Sequence, residues 1–345
     1  MSAIIGWDVG GAHLKGARAE DGVVTAAAQI PCPLWLGLGE LDRAFGEARA
    51  ALGRAPLNAV TMTGELSDAF ATRADGVEGL AEIAARLLAP DRALIYAGAA
   101  GFVAPEAARA HAADIGSANW RASAEFAGLR LDEALFVDIG SSTADLIPIA
   151  SGAPVALGAT DAGRLEHGEL VYTGLSRTFL MAGPRRVPFA GRLTGLMNEW
   201  FADMADVGRI LGRLPPDADS MDAPDGREKT PQASAARLAR MIGRDSEEAD
   251  AAAWRGLAAY FAETQLREIM DAAFLVLSRG ALGEDAPILG AGVGRDIAAE
   301  LARRLGRPFM PFDALIEATP EAREKAADCA PAAALALLAA RQPGA

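Results

Sequence analysis

The chain has 345 residues, more than one hydrophobic core ordinarily serves, so two domains are expected. Its formal net charge of −13 repels phosphate backbones and anionic lipid, which excludes nucleic acid and membrane as expected partners. Apolar residues make up 51% of the chain but aromatics only 6%, and an alanine-rich apolar content favours many helices packed closely on sheets.

Ala3 to Val9 reads as a buried strand ending at Gly10-Gly11. Leu14 to Ala19 follows as a second strand, Asp21-Gly22 as a turn and Val23 to Gln29 as a third strand. Leu38, Leu41, Phe45, Ala48 and Leu52 recur at helical spacing. Ala59 to Met62 is a short strand closed by Thr63-Gly64. Val77 to Leu88 is a helix stopped by Pro90, and Leu94 to Ala97 is another strand. Helices are expected from Pro105 and from Asn119 to Leu129. A linker is expected around 127–132. Alternation of this kind predicts an α/β layered fold.

The opening pattern then returns. Leu135 to Ile139 is a strand carrying Asp138, followed by Gly140-Ser141-Ser142, the strand Thr143 to Ile149, the turn Ser151-Gly152 and the strand Pro154 to Leu157. Superposed without a gap, Asp8 meets Asp138, Gly10 meets Gly140, His13 meets Thr143, Lys15 meets Asp145 and Gly22 meets Gly152. Leu214 to Pro231, rich in Pro, Asp and Gly, reads as an exposed loop or lid. Helices from Ala235 to Ile242 and from Glu248 to Leu277 follow. Pro287 to Leu289 is a strand, Gly290 to Gly294 a glycine turn and Asp296 to Leu305 a helix. The alanine-rich run from Ala330 to Ala340 is too short to span a bilayer and reads as a core helix. Cys32 and Cys329 form no CxxC site or disulfide framework, and the opening residues do not follow a secretory signal pattern. Both readings fit a reducing, cytoplasmic location.

Three segments carry candidate chemistry. In Asp8-Val9-Gly10-Gly11-Ala12-His13-Leu14-Lys15, a glycine turn admits phosphate oxygens close to backbone N–H groups, Lys15 supplies a cation and Asp8 can hold Mg²⁺. In Asp138-Ile139-Gly140-Ser141-Ser142-Thr143-Ala144-Asp145, three consecutive hydroxyls suit phosphate acceptors, and Asp138 and Asp145 are further candidate Mg²⁺ ligands. Gly290, Gly292 and Gly294, between a strand and a helix, form a candidate anion or nucleotide element.

These elements together resemble the actin-like superfamily (sugar-kinase/Hsp70-type, ribonuclease H-like), a duplicated α/β fold with two domains around a central cleft. The expected division is a first domain over 1–130, with a C-terminal segment 320–345 packing on it. A second domain would cover 131–319, with a helical insertion at about 190–280. Within that superfamily the chain resembles the hydantoinase A/oxoprolinase family, in particular its small members linked to tetrahydromethanopterin-dependent one-carbon metabolism. The matching residues are Gly6 to Lys15, Met62 to Asp68, Asp138 to Asp145, His167 to Gly174 and Arg177-Thr178. Similar archaeal proteins are methanofuran-biosynthesis synthases. The resemblance implies transfer from an aminomethyl-furan methyl diphosphate to the phenol of γ-glutamyltyramine, giving an aryl ether and diphosphate. A bacterial methylofuran-type cofactor would fit the alanine- and arginine-rich composition.

On that reading, Mg²⁺ at Asp8 or Asp138, Lys15, the turn N–H groups and Ser141, Ser142 and Thr143 would stabilise departing diphosphate. Glu65, Asp68 or His13 would take the phenol proton, and Arg177 would bind substrate carboxylate or diphosphate. The partners are then small diphosphate and phenolic molecules, with a homo-oligomer left open. Two alternatives stand beside it: an ATP-dependent kinase or hydantoinase-type amidohydrolase, and a nucleotide-gated protein without turnover.

Overall fold

The computed structural model describes residues 3–342. Six strands form the first sheet: β1 (Ala3–Val9), β2 (His13–Glu20), β3 (Val23–Pro31), β4 (Leu57–Met62), β5 (Arg92–Tyr96) and β6 (Phe102–Val103). Their order is β3-β2-β1-β4-β5-β6, with β1–β2 and β2–β3 antiparallel and β1–β4 and β4–β5 parallel. The second sheet begins with β7 (Ala134–Ile139), β8 (Ala144–Ala150), β9 (Ala153–Pro154) and β10 (Leu170–Val171). A separate hairpin, β11 (Arg186–Phe189) and β12 (Arg192–Gly195), follows. The sheet is then completed by β13 (Ile288–Ala291) and β14 (Phe309–Pro311).

The strands β9, β8, β7, β13 and β14 repeat the order and directions of β3, β2, β1, β4 and β5. This is the duplicated actin-like fold. The distal turns match as well. Asp21-Gly22 and Ser151-Gly152 both take two successive positive φ angles, the geometry that fits strand twist in a two-residue hairpin.

Helices α1 (Gly39–Leu52) and α2 (Arg73–Leu88) cover the outer face of the first sheet through Leu41, Phe45, Val77 and Leu80. The expected helix from Pro105 is instead a 3₁₀ stretch, Pro105–His111, leading into the short α3 (Ala112–Ile115). Next come α4 (Asn119–Gly128), α5 (Asp161–Glu166), α6 (Met204–Leu211), α7 (Pro231–Arg240) and the long α8 (Ala251–Leu277). α9 (Arg295–Leu305), α10 (Pro320–Asp328) and α11 (Ala330–Ala339) complete the described chain.

The C-terminal half of α8, with α9, covers the second sheet's outer face. Between the sheets lies a shared core in which α11 and α4 pack on Ile4, Ala59, Phe136 and Ile147. α11 approaches β1 so closely that a side chain at Gly6 would collide with the Ala332 carbonyl oxygen. The insertion has its own core, built by β11, α6, α7 and the first half of α8. Its Ala190-Gly191 turn again takes two positive φ angles. The expected strand from Pro154 to Leu157 is cut to Ala153–Pro154, because the edge beside the site is filled by β10 instead. Among the described residues, no helix is long and apolar enough to cross a membrane.

Candidate active site

The duplication brings the two hairpin turns to one cleft of about 480 Å³. In the first turn the Gly10 N–H donates to the His13 carbonyl at 3.0 Å; in the second the Gly140 N–H donates to the Thr143 carbonyl at 2.9 Å. Asp8 is registered opposite Lys15, and Asp138 opposite Asp145. All four line the cleft, as do Gly11, Ser141, Ser142 and Asp68.

Burial dominates the electrostatics. It pushes the Asp8 carboxyl up from 3.8 to about 6, opposed by Lys15 and the Asn119 amide. It pushes Asp138 up to about 7, again opposed by Lys15 and reinforced by Asp145 and Asp8. Burial alone would lower Lys15, but Asp138, Asp8 and Asp328 outweigh it and hold the ammonium above its ordinary range. Its Nζ also donates to the Asp328 carbonyl at 3.1 Å. Lys15 is therefore the cation that these buried carboxylates share.

His13 is held neutral: burial and the nearby cations Lys15 and Arg177 lower it to about 3. Its Nε2 lies 2.8 Å from Ser220 Oγ, so the loop between α6 and α7 reaches across to the first turn. That loop is exposed along most of its length, as the sequence implied, but anchored. Arg209 bonds Asp219, and the fully buried Arg237 bonds Asp206 at 2.7 Å and Asp225 at 3.0 Å.

Two expected assignments change. Glu65 does not line the cleft; it is 1% exposed behind Ser117, whose hydroxyl donates to Oε1 at 2.8 Å. Burial raises its carboxyl, and Oε2 has no protein partner. Gly290, Gly292 and Gly294 do not line the cleft either. The Gly292 N–H donates to the Ala327 carbonyl at 3.0 Å and the Gly294 N–H to the Ile139 carbonyl at 2.8 Å, so neither amide faces a ligand. Gly292, at φ +79°, lets the chain pass directly behind the Asp138 carboxylate, where a Cβ would collide. The element supports Asp138 from behind.

The Mg²⁺ reading is narrowed in the same way. Among the described residues, no three His, Cys, Asp or Glu side chains gather into a cation cage. Asp145 is taken by the Arg164 guanidinium, and burial raises its carboxyl against that partner. Mg²⁺ ordinarily takes one or two carboxylates and completes its shell with water and phosphate oxygens. Asp8, whose buried Oδ1 has no protein partner, and Asp138 fit that smaller role.

Sequence reasoning missed a polar network across the cleft floor. Arg164 is 3% exposed and binds Asp145 and, at 2.7 Å, Asp161. Asp161 Oδ2 also lies 2.8 Å from the Ser117 hydroxyl oxygen, so Glu65 and Asp161 share that one hydroxyl proton, and Asp161 pairs with Arg73 from the first half. These contacts join α2, the α3–α4 turn and α5, segments far apart in sequence, and no local motif announces them. The Asp161 position had one readable signal: Thr160 caps α5, accepting from the Gly163 N–H at 3.2 Å.

Arg177 does reach the cleft. Its Nη1 donates to Ser142 Oγ at 3.1 Å, and its guanidinium lies 4.8 Å from the centroid of the Trp35 ring. Burial lowers it, with Tyr172 and Asp203 acting against that.

Comparison with known proteins agrees with this architecture. Residues 57–339 match the Hydantoinase/oxoprolinase family model. A (4-{4-[2-(gamma-L-glutamylamino)ethyl]phenoxymethyl}furan-2-yl)methanamine synthase from Methanocaldococcus jannaschii is 31% identical over 245 residues, 71% of this chain and 72% of that protein. The synthase of the same name from Methanococcus vannielii is 33% identical over 123 residues, 35% of this chain and 55% of that one. Among solved structures, nucleotide-free acetone carboxylase matches with a TM-score of 0.58 at 12% identity, over 96% of this chain and 70% of that one, a likeness of fold alone. With four-fifths of its length under the family model and an archaeal relative above 30% identity, the chain belongs to the hydantoinase/oxoprolinase family.

Proposed function

We propose that this protein is a transferase of methanofuran-type cofactor biosynthesis. It joins an aminomethyl-furan methyl diphosphate to the phenol of γ-glutamyltyramine. The name of its archaeal relatives describes such a phenoxymethyl furan. The observation that carries the reading is Lys15 set among Asp8 and Asp138 in the cleft that the two hairpin turns share.

In this reaction the furanylmethyl C–O bond breaks and its electron pair leaves with diphosphate. The phenol oxygen bonds to the methylene carbon, and the phenol proton passes to a carboxylate. The furan oxygen delocalises charge on the carbon, so the protein's main task is to receive the leaving group. Lys15, the hydroxyls of Ser141, Ser142 and Thr143, the Gly11 N–H of the first turn and Arg177 are the donors. Mg²⁺ held by Asp8 and Asp138 would neutralise further diphosphate charge. Asp68, exposed on the cleft lip, is the proton acceptor in this scheme. Glu65 is shielded by Ser117, and His13 is bound to Ser220.

Diphosphate release from the furfuryl-type diphosphate tests this, with γ-glutamyltyramine and Mg²⁺ present, beside an ATP-turnover control and Asp138→Ala. Phenol-dependent release, an ether product of matching mass and loss in the variant are expected. ATP turnover without diphosphate release from the furan substrate would overturn the reading in favour of a nucleotide-driven activity.

A further inference from the structure

The cleft mouth carries an unusual amount of bare apolar surface. Trp35 is 47% exposed, Leu66 59%, Leu165 49% and Tyr172 71%, and all four line the same cleft. Trp35 and Leu66 come from the first half, Leu165 and Tyr172 from the second. Isolated exposed apolar residues need no explanation, but a group drawn from two domains around one polar cleft marks a binding surface.

Arg177 ties this rim to the phosphate-facing turns. One guanidinium nitrogen bonds Ser142 of the hydroxyl turn, while the guanidinium carbon sits over the Trp35 ring, 4.8 Å from its centroid. The indole is thus held in place across the cleft by a residue that also reaches the hydroxyl turn, yet nearly half of it stays uncovered. A ligand whose diphosphate sat at the turns would have its reacting carbon beside this rim, where a second, planar aromatic partner approaches from solvent.

We propose that Trp35, with Tyr172, Leu66 and Leu165, is an aryl-binding collar, and that Trp35 is the specificity-determining residue for the aromatic ring of the phenolic acceptor. This rests on the ether-forming reading above and adds to it which side chains select the acceptor. Indole supplies a large, flat, polarisable face, and an aromatic pair beyond simple burial gives a few-fold to about tenfold in affinity.

Isothermal titration of γ-glutamyltyramine, and separately of inorganic diphosphate with Mg²⁺, into wild type, Trp35→Ala and Trp35→Phe tests the collar. Trp35→Ala should weaken phenol binding by about tenfold. Diphosphate affinity should fall far less, because Arg177 keeps its bond to Ser142; the unfolding midpoint should stay unchanged, and Trp35→Phe should recover most of the loss. Wild-type affinity for the phenol in Trp35→Ala would overturn the collar, as would equal losses for both ligands or no phenol binding by the wild type. Binding is read here without turnover. Trp35-dependent phenol binding with no ether formed would sink the proposed reaction and leave the collar standing.

Discussion

Lys15 and Asp145 occupy the same place in the two repeats: Lys15 is registered opposite Asp8, and Asp145 opposite Asp138. The duplicated hairpins therefore differ by a reversal of charge at one position. The first copy supplies the cleft with its cation. The second supplies the carboxylate that seats Arg164.

Replacing Lys15 by methionine removes the charge that holds Asp8 and Asp138 down. Both carboxyls then rise further. The acid limb of the rate profile should move to higher pH, and diphosphate release should fall about 10²–10³-fold. A pH–rate series on the variant decides this; an unmoved limb with a near-normal rate would remove Lys15 from the site.

Asp138 is pushed from 3.8 up to about 7 mainly by burial. A raised carboxyl favours the folded state below pH about 4, where both states are protonated, and that contribution is lost as pH rises through 7. Asp138→Asn cannot ionise, and Lys15 retains Asp8 and the Asp328 carbonyl. In EDTA the variant should match wild type near pH 4 or below and unfold several degrees higher at pH 8, while losing activity. Melting curves across that range check it; parallel curves would mean that the carboxyl is not desolvated.

Arg164 is almost wholly buried and serves Asp145 and Asp161 at once. Arg164→Ala leaves two carboxylates without it and should cost about 3–5 kcal/mol in denaturant unfolding. Arg164→Lys should recover little, because an ammonium cannot reproduce a planar fork that spans two acceptors. Full rescue by lysine would show that charge alone is required.

Gly292→Ala puts a methyl where the Asp138 carboxylate and the Ile139 carbonyl lie, at a φ that disfavours side chains. Loss of diphosphate release should accompany a destabilisation of about 1–3 kcal/mol. A variant that keeps both activity and melting point would contradict the close packing behind Asp138.

The hairpins were legible because their information is local: an apolar strand, an aspartate, a glycine turn and a two-residue distal turn recur at one spacing. Asp8, Lys15, Asp138 and the hydroxyls of 141–143 follow from register once the turns are placed. Glu65 shows the limit. Its position after Thr63-Gly64 placed it correctly at a strand end, yet only tertiary structure puts Ser117 between it and the cleft. Gly290 to Gly294 read as a ligand turn because glycine permits close approach, and here the closely approaching group is the protein's own aspartate. The Arg73–Asp161–Arg164 network has no spacing to read. The β11–β12 hairpin did have one in Ala190-Gly191, hidden by the proline at 188.

The seating of α11 against Gly6 has a consequence for how the molecule is made. A ribosome that has delivered the first 130 residues has produced every strand of the first sheet, with the inner face incompletely covered until residues 320–339 emerge. The first sheet is the earliest to be synthesised and among the last to be closed. The nascent chain carries an unsealed apolar surface through most of its translation, an interval in which chaperone capture or misassociation competes with folding.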